Sequence, residues 1–253
     1  VFGMIISYIT LIFIVRKLTV EEFGLLSTVR TFVSSFIIFS FGGISGAVMR
    51  EGAKNTSRMG ILFEQTNGFK FLMSFFATAL CLVALVFTPY ENSTKLLIVI
   101  FSFSIIATSL LNHWKVALTA TENFKTYVII NLMQPFIYFL IAFIIIDHSD
   151  RVQNLISLQL FLQILFMIVT LIVARRLTNF KLNILSVEFN KSLITKGFYF
   201  FIISLAGMIF MKIDVLMISF LGDLREVGVY SIADRIAREG SELRTVILAG
   251  FFP

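Results

Sequence analysis

Long apolar runs separated by short polar clusters organise this chain. The runs cover residues 1–15, 25–48, 69–88, 95–114, 127–146, 155–174, 198–221 and 227–252. About 20 apolar residues, rising 1.5 Å each, cross the hydrocarbon core of a bilayer. The pattern therefore predicts an all-α, polytopic membrane protein with about eight transmembrane helices. Arg16 and Lys17 close the first run, and Pro89 stops the third. Pro135 removes a backbone donor inside the fifth and predicts a kink there. Gly42 and Gly46, four apart at the end of the second run, predict a close helix approach. The polar connection at 50–68 predicts a short helix on the membrane surface. Trp114, at the end of the fourth run, predicts an anchor at headgroup level.

Two of the polar breaks are alike. Glu22-Phe23-Gly24-Leu25-Leu26-Ser27 and Glu226-Val227-Gly228-Val229-Tyr230-Ser231 share Glu, Gly and Ser at a constant offset of 204, as from 24 to 228. Each follows one apolar run and opens another. They read as the same corner in two structural repeats. On that basis residues 1–174 form a first six-helix lobe and 175–197 a cytoplasmic inter-lobe linker. Residues 198–253 hold the first two helices of a second lobe. Val1 stands inside an apolar run, and the second copy stops after two helices. Both features predict a fragment of a longer protein.

Composition sharpens the class. The chain is 58% hydrophobic and 14% charged, against about 25% charged in soluble proteins. Its net charge of +6 is read as Lys and Arg flanking the spans, so no nucleic-acid partner is inferred. Ten Lys and Arg follow runs two, four and six, and five follow runs one, three, five and seven. The positive-inside rule then places the N-terminus in the cytoplasm and both Glu-x-Gly corners outside. Cys81 alone forms no internal disulfide and no multi-cysteine metal site, and its apolar setting reads as inert packing. No HExxH, CxxC, GxSxG or Walker-type loop occurs, so neither a cofactor nor a catalytic residue is predicted. Asp147, His148 and Asp150 are the only acid–histidine cluster that a membrane-embedded glycosyl- or acyltransferase could use, and they read as a solvated loop.

Several motifs in order carry a family resemblance. They are Arg16-x-Leu18-x-x-x-Glu22-Phe23-Gly24, the segment from Phe41 to Arg50, Glu122-Asn123-Phe124-Lys125, Asp214, the stretch from Val227 to Ala233, and Phe252-Pro253. The chain resembles the polysaccharide (O-antigen and capsule-unit, Wzx-type) flippase branch of the multidrug/oligosaccharidyl-lipid/polysaccharide exporter superfamily. The likeness covers the N-terminal lobe plus the first two helices of the second. It implies two lobes around a central cavity, alternating access, and an undecaprenyl-diphosphate-linked oligosaccharide as cargo in a bacterial or archaeal plasma membrane. Membrane lipids, a polysaccharide polymerase and glycosyltransferases are the implied partners. A cation-coupled multidrug or small-molecule antiporter of the same superfamily is the alternative.

The candidate site residues are polar groups inside apolar runs, where burial is costly and function is the default reading. Lys212 and Asp214 lie two apart, about 200° around a helix, so they do not share a face. Asp214 is the candidate for a coupling cation (proton or sodium), and Lys212 for an anionic head group. A structural ion pair, or Lys212 reaching to the surface, is the competing reading. Asp214→Ala is expected to lose export while retaining membrane insertion. Arg30 maps by the 204 offset onto Asp234, and the two are expected to bridge a gate at the external mouth; pairing of each within its own lobe is the alternative. Asp234, Arg238 and Glu242 share one helical face, so Arg238 is a candidate cavity wall. Arg50 is a candidate diphosphate ligand, beside Lys54 and Arg58 as ordinary flanking charge. Gln159 and Gln163, one turn apart, either meet sugar hydroxyls or join helices, as do Asn131 and Gln134.

Overall fold

The computed structural model describes residues 2–40, 43–54, 59–178 and 191–251, excepting the side chains at 53–54, 191–192 and 239–251. All regular structure in these residues is helical. The order is α1 (Phe2–Lys17), α2 (Val20–Phe36) ending in a 3-10 turn (Ile37–Ser40), α3 (Gly43–Lys54), α4 (Met59–Val86), α5 (Asn92–Ser102), α6 (Ser104–Ala120), α7 (Phe124–Ile145), α8 (Arg151–Thr178), α9 (Lys191–Leu221) and α10 (Leu224–Phe251). The multi-pass membrane architecture is as the apolar pattern predicts. Six segments among the described residues are long and apolar enough to cross a bilayer: 20–40, 59–86, 92–120, 124–145, 151–178 and 193–221. The other two expected spans fall short of that standard. α1 has 16 residues, and α10 carries Arg225, Glu226, Asp234, Arg235 and Arg238 in its first 15 residues.

Three local expectations change. Run two is two helices, because α2 tightens into the 3-10 turn and α3 starts afresh at Gly43. The connection at 50–68 is largely membrane helix, since α4 begins at Met59 and buries Phe63, Asn67 and Gly68. Trp114 is fully buried rather than anchored at the surface. Its indole Nε1–H donates to Asn67 Oδ1 at 2.8 Å, which satisfies the polar handle that would otherwise seek the headgroups. At the two ends of the expected linker, α8 runs on to Thr178 and α9 starts at Lys191; residues 179–190 lie outside the described residues.

The repeated corner has a physical cause at each shared residue. Thr19 Oγ1 accepts from the Glu22 N–H, and Glu22 Oε2 accepts from the Thr19 N–H at 2.8 Å. This capping box satisfies two donors that a helix start leaves free. The second copy repeats it: the Glu226 N–H donates to Asp223 Oδ1 at 2.8 Å, and the Asp223 N–H to Glu226 Oε2 at 3.4 Å. The glycines let the two copies meet. A Cβ on Gly24 would fall on the Leu224 carbonyl, and a Cβ on Gly228 would fall on the Val20 carbonyl. Leu224 and Gly228 are the 204-offset mates of Val20 and Gly24, so the contact is reciprocal, as across a local two-fold axis. Ser27 and Ser231, the third shared pair, are both buried. α3 and α9 make a second close crossing, where a Cβ on Gly43 would meet the Gly197 carbonyl. Of the two glycines expected at a close approach, Gly46 packs against the Phe200 ring of α9, and Gly42 lies outside the described residues.

The hydrophobic core of the described residues sits among α2, α4, α5, α6 and α8. Phe23, Val29, Phe63, Ile98, Ile105, Trp114, Leu118, Leu155 and Ile156 are fully or almost fully buried there. Cys81 is buried in the same cluster. The turn between α7 and α8 is tied to the first corner by Lys17–Asp147 at 2.8 Å and by Arg151 donating to the Lys17 carbonyl at 3.0 Å.

Candidate functional site

Lys212 and Asp214 leave α9 in opposite directions, as a two-residue step requires. Lys212 points to α2, where Nζ donates to Ser34 Oγ at 2.6 Å. Asp214 points to α10, and its Oδ2 accepts from Tyr230 OH at 2.8 Å. They serve different cavities.

The Lys212 cavity has a volume of about 390 Å³. Lys70 of α4 lines it with Lys212, together with Ser34, Ser40, Ser45, Thr108, Ser109 and Asn112. Among the described lining residues there is no Asp or Glu. Lys70 is 3% exposed. Thr108 Oγ1 and Ser109 Oγ are buried with no hydrogen-bond partner. Two ammonium groups and unmet hydroxyls facing one space are suited to an anion with several oxygen acceptors. Behind its wall His113 is fully buried, with Nδ1 2.9 Å from Ser45 Oγ and Nε2 3.4 Å from Thr66 Oγ1, and both ring nitrogens are engaged in packing.

An apolar cavity of about 550 Å³ adjoins the lysine cavity. Phe32, Phe36, Phe39, Phe87, Ile209 and Phe220 line it, and Met208 belongs to both walls.

Gln159 and Gln163 lie elsewhere, in a cavity of about 310 Å³ among α1, α2, α7, α8 and α10. Arg30 lines the same cavity. The expected Arg30–Asp234 bridge is absent from the described side chains. Arg30 Nη2 donates to Tyr138 OH at 2.6 Å, and its guanidinium carbon lies 5.7 Å from that ring's centroid. Asp234 accepts from Arg238 Nε at 2.7 Å, one turn along α10. The reason is helix rotation: Arg30 faces α7, while Asp234 faces the α9 side of α10. The α10 residue that reaches the Arg30 cavity is Arg235. Asn131, the other polar candidate on α7, accepts from Lys115 Nζ at 2.7 Å and so joins α7 to α6.

Asp214, Asp234 and Arg238 share a wide cleft of about 840 Å³ between α9 and α10, otherwise lined by Ile209, Phe210, Met211 and Ile213. Arg238 also donates to the Met211 carbonyl. Arg50 is exposed on α3 beside Glu51, which pairs with Lys196 at 3.0 Å. The side chains of Lys54, Arg58 and Glu242 lie outside the described residues. No group of three His, Cys, Asp or Glu capable of holding a metal occurs among the described residues.

The candidates chosen from sequence therefore divide among four cavities. Lys70 was overlooked, although its charge inside an apolar run was the available signal. Thr108 and Ser109 carried none, because hydroxyl residues are ordinary in membrane helices.

A family model described as "Polysaccharide biosynthesis protein" matches residues 1–253, and the chain belongs to that family. Membership and the apolar helices together make it a multi-pass membrane protein with a polysaccharide-related transport role. No curated protein and no solved structure matches the chain.

Proposed function

We propose that this member of the polysaccharide biosynthesis family flips lipid-linked saccharide units across the plasma membrane by alternating access. The observation that carries this reading is the lysine cavity. Lys70 and Lys212 line one cavity with Thr108 and Ser109, and no described carboxylate lines it. Charge-assisted bonds to phosphate oxygens would repay the cost of holding two lysines at that depth. The neighbouring apolar cavity supports a cargo whose phosphate carries a hydrocarbon chain, since Met208 borders both. The reciprocal corner contact supports a state closed at the Glu-x-Gly end, which is external under the positive-inside reading. A polyprenyl-diphosphate saccharide has each of these chemistries. The chain's work is binding and reorientation, with no bond made or broken.

The test is flipping of a fluorescent polyprenyl-diphosphate oligosaccharide by the full-length protein in proteoliposomes. Wild type is expected to flip it, and Lys70→Gln with Lys212→Gln is expected to abolish flipping. Equal flipping by the double variant would overturn the reading.

One observation favours a drug antiporter instead. The α9/α10 cleft sets Asp214, beside the mutually neutralised Asp234–Arg238 pair, against an apolar lining that suits a lipophilic cation. Asp214→Asn discriminates. A flippase that uses the lysine cavity is expected to keep flipping to within about tenfold, because the Tyr230 hydroxyl still has an acceptor. Uptake of cationic dyes, lost in Asp214→Asn while no diphosphate lipid is flipped, would establish the antiporter.

A further inference from the structure

The Arg30 cavity contains polar atoms that the protein does not satisfy. Arg30 Nε, Gln159 Oε1 and Gln163 Oε1 are all buried and unpartnered, and all three side chains line the same 310 Å³ space. Each such group in a native protein needs a partner, and the three line one cavity that a single partner can reach. The chemistry narrows what it is. A halide would accept from Arg30 and leave both glutamine oxygens unmet. A metal cation would meet those oxygens but sit against a guanidinium. Exchanging O and N in either glutamine still leaves a site that needs donors and acceptors together. A hydroxyl group offers both. The charge narrows it further: Arg30 lines the cavity with its Nε unmet, and no Asp or Glu stands among the cavity's described residues. The volume lies at the low end for ligand pockets, about 300–1,000 Å³, enough for one small polar ring.

We propose that this cavity is a binding site for an acidic sugar residue, a hexuronate, separate from the lysine cavity. The carboxylate accepts from Arg30 Nε, and the ring hydroxyls donate to Gln159 and Gln163. Tyr138 holds the guanidinium in place through its OH and its ring face. As a step within transport, the assignment rests on the saccharide-flippase reading. Arg30 and Ser34 lie one turn apart on α2, about 6 Å along its axis. A sugar at Arg30 and a phosphate at Lys212, which Ser34 contacts, would then be neighbours on one cargo molecule.

The experiment uses the full-length protein in lipid nanodiscs, titrated with D-glucuronate and with D-glucose, with binding read by saturation-transfer difference NMR. Glucuronate is expected to bind at least about tenfold more tightly than glucose, because only it supplies a charge partner for the guanidinium. Arg30→Gln is expected to erase that preference. Arg30→Lys is expected to retain part of the preference, which separates charge recognition from a fold defect. Gln159→Leu with Gln163→Leu is expected to weaken both sugars. Equal binding of the two sugars, an unaltered preference in Arg30→Gln, or no binding of either (ordered water alone in the cavity) would overturn the proposal. The Lys70→Gln and Lys212→Gln variants are expected to bind glucuronate normally. Flipping without glucuronate binding would therefore reject this site alone, and glucuronate binding without flipping would reject only the transport reading.

Discussion

The two halves of α2 are packed to opposite ends. In the first half Phe23, Gly24, Leu26, Ser27, Thr28 and Val29 are buried, and the glycine lets α10 approach to backbone contact. The second half presents Arg30 to one cavity and Ser34 to another, then tightens into a 3-10 turn. The first half spends its side chains on filling space. The second also buries Phe32, Val33 and Ser35, while Arg30 and Ser34 border two cavities. One helix can thus pack tightly on α10 at one end and border two cavities at the other, because a seal needs small residues and close packing while a cavity needs space that packing leaves.

The strongest way to break this contrast is at the cavity. Each charge-assisted bond to a phosphate is worth about 1.5–3 kcal/mol, so Lys70→Gln and Lys212→Gln should each cost about tenfold or more in flipping rate. The pair should cost about 100-fold or more in flipping rate. A double variant with wild-type flipping would erase the distinction between the two halves.

At the sealed end the sign reverses. Gly24→Leu or Gly228→Leu forces a side chain onto the partner helix's backbone and should lower stability by about 1–3 kcal/mol, read as a fall in melting temperature. Equal melting of Gly228→Leu and wild type would show that the corner is not packed as described. The Asp234–Arg238 pair sharpens the comparison from outside α2, because its charges already neutralise one another. Asp234→Asn should cost about 0.3–0.5 kcal/mol, as for other partly exposed pairs one turn apart, and leave flipping of a diphosphate lipid almost intact. A loss as large as that of the lysine variants would place Asp234 in the transport path.

The smallest effect lies in the turn behind the seal. The hydrogen bond from Lys17 holds the Asp147 carboxyl below its ordinary value. A depressed carboxylate stabilises the fold above the unfolded value, about pH 3.9, and loses that contribution as pH falls through the lower folded value. The melting-temperature difference between wild type and Asp147→Asn should therefore be slight at neutral pH and vanish under strong acid. A difference that persists in acid would mean that the pair does not act through its charge.

Much of this was legible along the chain, though unevenly. Glu22 and Glu226 marked two helix starts because a capping box is a local device spanning four residues. Gly24 and Gly228 marked a repeat, but the contact between them was beyond reach, since nothing in either segment names its partner. Arg30 and Asp234 show the limit of the offset argument. Equivalent positions in two repeats need not touch, and here rotation of each helix turns them to Tyr138 and Arg238. Lys70 stood in plain view at the edge of an apolar run, yet only its meeting with Lys212 makes it more than a buried lysine. Trp114 misled because a tryptophan seeks either a headgroup or an internal acceptor, and Asn67 supplied the second.

The sequence by itself determined the solvent and the secondary structure. Runs of about 20 apolar residues leave the backbone no partner in a bilayer except itself, so helices across a membrane follow from local chemistry. It determined the two corners as well, through caps and glycines. Only the tertiary structure decided which charges share a cavity. Lys70 and Lys212, or Arg30 and Gln163, are far apart in sequence, and their meeting depends on how each helix is rotated against its neighbours. That rotation is set by the packing of many side chains at once, a property that no short segment carries.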